Sequence, residues 1–174
     1  MFNDKYGLTK AVLEGRKTMT RRVVPEKLIK AIEGGVPGFA VMESKYKVGE
    51  VVAVAQAYKY TCWTSPVLRL NDKPGWSNKM FAYAGLMPHQ IRITNVRVER
   101  LQDITDEDCL QEGVIENTAT DILGGTIKGY TIKGVDGGYV FAREAFSALI
   151  NRISGRGTWE SNPWVFVYEF ELVK

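Results

Sequence analysis

The chain has few of the residues that most often build metal centres and covalent frameworks: its 174 residues include two cysteines and one histidine. Cys62 and Cys109 stand far apart without a C-x-x-C spacing, so neither a zinc ribbon nor a disulfide framework follows from them. His89 as the sole histidine argues against a His-based metal site and against a Ser-His-Asp triad. No metal and no cofactor is called for. Long apolar runs are missing as well. No stretch approaches the ~18 consecutive apolar residues of a membrane span, and the opening residues carry no apolar leader core. A soluble cytoplasmic protein without a membrane partner is the expectation.

An apolar content of 45% over this length suffices for one well-buried core, so a single domain over residues 1–174 is expected. Net charge is a modest +3, but it is unevenly spread. Residues 1–30 hold eight Lys or Arg against Asp4, Glu14 and Glu26, a local excess of five, which leaves the other 144 residues at −2. A cationic patch near the N-terminus is the main electrostatic feature, and the overall charge suggests tolerance of polyanions without the basicity of a histone-like protein. It is densest in Gly15-Arg16-Lys17-Thr18-Met19-Thr20-Arg21-Arg22, where four cations and two hydroxyls occur without an acid.

Tyr6, Leu8, Ala11 and Val12 give a helical stripe that stops at Gly15, so the basic run begins where that helix ends. Val23 and Val24 continue extended until Pro25 opens a second short helix, with Leu28, Ile29 and Ile32 on one side. Val51 to Ala57 is apolar on both faces and reads as a buried strand central to the sheet. Residues 58–88 dissolve into an irregular excursion with Tyr58, Trp63 and Trp76 as candidate stacking aromatics. Gln90 to Leu101 reads as a strand with a phase slip near Thr94-Asn95, a β-bulge of the kind found where sheets curl. Thr105 is an N-cap with Asp108 completing a capping box, for a helix that Gly113 ends. Residues 114–138 form a second, hairpin-like excursion. Ala142, Ala145, Phe146, Leu149, Ile150 and Ile153 mark an amphipathic helix stopped by Gly155, and Trp164 to Leu172 a long strand inside the core. Strands and helices without βαβ alternation indicate an α+β fold with a curled or barrel-like sheet.

The basic run resembles the G-R-K-T-x-T-x-R motif of ASCH domain proteins. Together with Val96-Arg97-Val98-Glu99-Arg100-Leu101-Gln102-Asp103-Ile104 and its acidic helix, and with the ending Asn162 to Phe170, the framework is similar to the phage-type branch of that family. The resemblance implies a PUA-like curled mixed β-barrel flanked by short helices and associated with RNA and modified nucleosides. Some small members are amidohydrolases that remove the acetyl group of acetylated cytidine. Position by position, that resemblance carries over Lys17 and Thr20 from the basic run and Glu112 from the acidic helix as catalytic residues. The two excursions depart from the smallest enzymes and bear on which substrate is taken.

The residue types suit that chemistry. A threonine hydroxyl attacks only when a base takes its proton, and a lysine serves when its pKa is depressed from ~10.4. Arg16, Arg21 and Arg22 and burial push Lys17 in that direction, while Glu112 pushes back, and the balance stays open. Two other readings stand beside it. In a non-catalytic single-stranded RNA-binding module, Arg16, Arg21 and Arg22 hold phosphates while Tyr58, Trp63 or Trp76 stacks on bases; three phosphate contacts imply a log–log salt slope of roughly −2. In a protein-interaction module, the 58–88 loop holds a partner and the basic run is framework.

Overall fold

The structure is a computed structural model that describes residues 2–61, 73–120 and 122–173. Four strands form one sheet: β1 (Met19–Val23), β2 (Val51–Ala53), β3 (Gln90–Arg100) and β6 (Trp164–Leu172), in the order β1-β6-β3-β2. All its pairings are antiparallel. The register of β3 against β6 shifts between Ile93 and Asn95, at the site of the expected bulge, and the sheet curls there into an open half-barrel. β4 (Ile115–Thr120) and β5 (Thr126–Thr131) pair with each other as a separate hairpin within the second excursion. The α+β expectation therefore holds, with a curled sheet at its centre.

The alternation of β6 explains why that sheet is covered on both sides. Val165 and Val167 face α4 (Asp106–Gln111) and α5 (Ala142–Ser154), where Leu101, Cys109, Phe146 and Leu149 complete one core. Phe166, Tyr168 and Phe170 point the other way, toward Leu28 and Ile32 of α2 (Glu26–Glu33) and Ala40 of α3 (Pro37–Met42). α1 (Leu8–Leu13) sits at the junction, with Leu8 in the first core and Val12 in the second. Its chain then turns through Gly15 in the left-handed region, φ 72°, and delivers the basic run to the start of β1.

Two readings of the sequence need correction. The run Val51 to Ala57 is not a central strand: β2 stops at Ala53, lies at the sheet edge and leaves Val51 47% exposed. Its apolar character has another cause. Val54 and Ala57 are buried after the chain has left the strand, as it enters a short 3₁₀ turn at Tyr58–Tyr60. The capping box at α4 is half formed. The Thr105 hydroxyl accepts from the Asp108 N–H at 3.1 Å, but the Asp108 carboxylate turns away toward Arg21 and Arg97.

Candidate functional site

β1 and the end of α4 bring the site together. Gln111 O accepts from the Thr18 N–H at 3.0 Å, tying the basic run to the last turn of α4. Glu112 follows as the helix C-cap, and Gly113 turns the chain away with φ 108°. A side chain at Gly113 would meet Leu8 Cδ2 at 2.9 Å, so glycine is required there both for the turn and for the close approach of α1.

Lys17 is buried, and its Nζ donates to Glu112 Oε2 at 2.6 Å, to Met19 O at 2.7 Å and to Glu112 O at 2.8 Å. All three ammonium hydrogens are thus used. Burial pushes the Lys17 pKa below the ordinary lysine value; Glu112 opposes that shift, while Arg22 and Arg21 add to it.

Arg21 is buried beside it. Its guanidinium donates to Glu99 Oε1 at 2.6 and 3.0 Å, to Asp108 Oδ2 at 2.6 Å and to Glu112 Oε1 at 3.4 Å. Burial works against the charge, but Glu112, Glu99 and Asp108 outweigh it and raise the Arg21 pKa. Arg97 joins the same network through Glu99, Asp108 and Glu169. Three cations therefore face four carboxylates, and the cationic patch read from the sequence is neutralised at its buried end.

A cavity of about 490 Å³ opens over this network, within the range that holds small organic ligands. Lys17, Thr20, Arg21, Arg22 and Glu112 line it, so five of the expected residues share one site. Thr20 is largely buried on β1, opposite Tyr168, and its hydroxyl makes no hydrogen bond among the described residues. Arg22 is exposed, donates to Arg21 O at 2.9 Å and has no carboxylate partner among the described residues.

The remaining expected residues lie elsewhere. Arg16 is exposed, paired with Glu14 at 2.6 Å and outside the cavity wall. Tyr58 is buried with Met87, and its hydroxyl accepts from the Tyr83 N–H at 2.8 Å, so its ring anchors the excursion rather than facing a ligand. Trp76 lines neither this cavity nor its neighbour, and Trp63 falls outside the described residues.

The first excursion does reach the site. Lys59, Tyr60 and residues 77–80 line the cavity, and Lys79 bonds Phe2 O, Asp4 Oδ1 at 2.7 Å and Thr9 Oγ1 at 3.0 Å. No described residue of 114–138 lines it. Sequence reasoning missed Phe2, whose ring lies 5.9 Å from Lys17 Nζ, as well as Lys79, Glu99 and the inward role of Asp108. Only the carboxylates had a signal: an acid-free run of four cations with apolar neighbours needs acids from elsewhere once it is buried.

Among the described residues there is no group of side chains able to hold a metal ion, and no helix is long and apolar enough to cross a membrane. No protein-family model and no curated protein sequence matches the chain. Among solved structures, it is similar to a crystal structure of an ASCH domain from Lactobacillus crispatus JV V101. The identity is 12%, over 99% of this chain and 76% of that one, with a TM-score of 0.41.

Proposed function

We propose that the chain is an ASCH-type amidohydrolase that cleaves the exocyclic amide of an acylated cytidine-like nucleoside in the cavity above Lys17 and Glu112. The observation that carries the reading is the buried Lys17–Glu112 pair on the wall that also presents the Thr20 hydroxyl, which makes no hydrogen bond among the described residues. An ion pair this deeply buried is a weak source of stability, and perturbed pairs in a cavity of ligand size concentrate at functional sites.

In this mechanism Lys17 acts as the base in its neutral form, which burial favours by penalising the ammonium. Substrate binding brings the amine within reach of Thr20, a tightening common on going from free to loaded catalytic sites. The Thr20 hydroxyl gives its proton to Lys17 and attacks the amide carbonyl, and the proton passes on to the leaving nitrogen as the C–N bond breaks. Water then hydrolyses the ester on Thr20.

The RNA-groove reading is weakened by the same geometry, because Lys17 and Arg21 already hold carboxylates and Arg16 lies outside the cavity wall. Acetate release from acetylated cytidine tests the reading. Turnover by the unmodified protein that disappears in Lys17→Met and in Glu112→Gln supports it, and turnover that survives both substitutions contradicts it.

A further inference from the structure

The candidate cavity has a larger neighbour. A second cavity of about 630 Å³ lies on the α2 side of the sheet, and Phe2, Thr20 and Arg22 line both. Thr20 and Arg22 share a face of β1, and their partners across the pairing, Tyr168 and Phe166, also line the second cavity. The rest of that wall is largely apolar, with Leu28, Ile93 and Phe170, and carries Lys27, Glu43 and Lys45 as its charged residues. Neither Lys17 nor Glu112 lines it.

We infer that the second cavity is the acyl pocket of the reaction proposed above, and that the protein takes acyl groups longer than acetyl. The inference rests on that reading and adds the substrate's second half. A nucleophile divides its substrate: the carbonyl carbon sits at Thr20, the leaving nitrogen on one side and the acyl chain on the other. The leaving nitrogen must collect a proton, and Lys17, which carries it in the proposed reaction, lines the first cavity alone. The nucleoside half therefore occupies the Lys17–Glu112 side, and the acyl chain extends past Thr20 into the apolar side.

The chemistry balances. The Thr20 Oγ1–acyl bond forms as the C–N bond breaks, the Thr20 proton leaves on the amine, and water releases the carboxylic acid and restores the hydroxyl. An acetyl group offers one methyl to a cavity of this size, whereas a hexanoyl chain offers four further methylenes to its wall.

The test is the acyl series on the exocyclic amine of cytidine, from acetyl through butyryl to hexanoyl, with kcat/KM measured for each. Each methylene buried is worth about fourfold, so four fully buried methylenes correspond to about 250-fold, and a chain that is only partly buried is expected to raise kcat/KM by at least about tenfold from acetyl to hexanoyl. Filling the second cavity without touching the first, by Ala55→Phe or alternatively Val52→Trp, is expected to remove that rise and leave acetyl turnover within about twofold. Equal or better turnover of the acetyl substrate overturns the inference and leaves the amidohydrolase reading standing. Turnover of none of the three overturns both.

Discussion

Lys17 Nζ lies 2.6 Å from Glu112 Oε2 across 95 residues of sequence, with 1% and 6% of the two side chains exposed. This contact joins the chain entering β1 to the C-cap of α4 and places a buried ion pair at the wall of the candidate cavity. Removing one partner leaves the other charged and buried. Lys17→Met or Glu112→Leu alone is expected to lower stability by about 3–5 kcal/mol, and the double variant to recover most of it. Urea unfolding of the four proteins in a double-mutant cycle measures this, and additive losses would argue against the pair.

Arg21 serves the same pair from behind. It holds three carboxylates at once, and lysine, with its compact ammonium, cannot reproduce the fork. Arg21→Lys is expected to destabilise by about 2–4 kcal/mol, comparable to breaking a buried charged network. Arg22→Ala, at an exposed position without a carboxylate partner among the described residues, is expected to change stability by less than about 0.5 kcal/mol. Thermal or urea unfolding of the two variants side by side checks the contrast.

The same assignment of the cations bears on nucleic acid. With Arg22 the one motif cation that both reaches the cavity and lacks a carboxylate partner among the described residues, a single phosphate contact is expected. Binding of a short single-stranded RNA should then have a log–log salt slope near about −0.7, against roughly −2 for three contacts. A titration at several salt concentrations separates the two values.

These contrasts also mark what could be read from the residues. The Thr105 cap, the bulge beside Asn95, α5 and the length of β6 are local or periodic features, and each appeared in the sequence at its observed place. The edge position of β2 was hidden because Val54 and Ala57 are buried off the strand, which looks the same in a hydropathy pattern. α3 and α6 (Thr158–Ser161), at six and four residues, are too short for a helical period to register. The neutralisation of Arg21 was hidden for a topological reason. Its acids come from 78 and 87 residues further along the chain, and no local pattern announces them.

Cys109 supplies a pH test of the core between the sheet and α5. Burial, with Asp106 adding to it, pushes its thiol from an ordinary 9.0 up to about 12. A raised acid binds its proton more tightly in the folded chain, so its stabilisation is fully present below pH 9 and is lost as pH rises toward 12. Cys109→Ala is expected to flatten the alkaline fall in stability over that window, and native Cys109 is expected to resist thiol reagents until the chain unfolds. Unfolding curves at stepped alkaline pH, with peptide mapping of the labelled thiol, read both effects.

The helix that presents Glu112 depends on its first turn. Thr105→Ala removes the hydroxyl that accepts from the Asp108 N–H, with an expected loss of about 1 kcal/mol in unfolding free energy. A loss indistinguishable from zero would mean that the contacts of Asp108 with Arg21 and Arg97, the Thr18–Gln111 bond and the burial of Cys109 hold α4 without its cap.

Acetate release from acetylated cytidine by the unmodified protein and by Thr20→Val tests the central claim most directly. The Thr20 hydroxyl makes no hydrogen bond among the described residues, so valine removes the proposed nucleophile and leaves the neighbouring ion pairs in place. The account predicts turnover by the unmodified protein and a fall of about 10³-fold or more in Thr20→Val at unchanged melting temperature. Equal turnover by the two proteins, or none by the unmodified one, would contradict it.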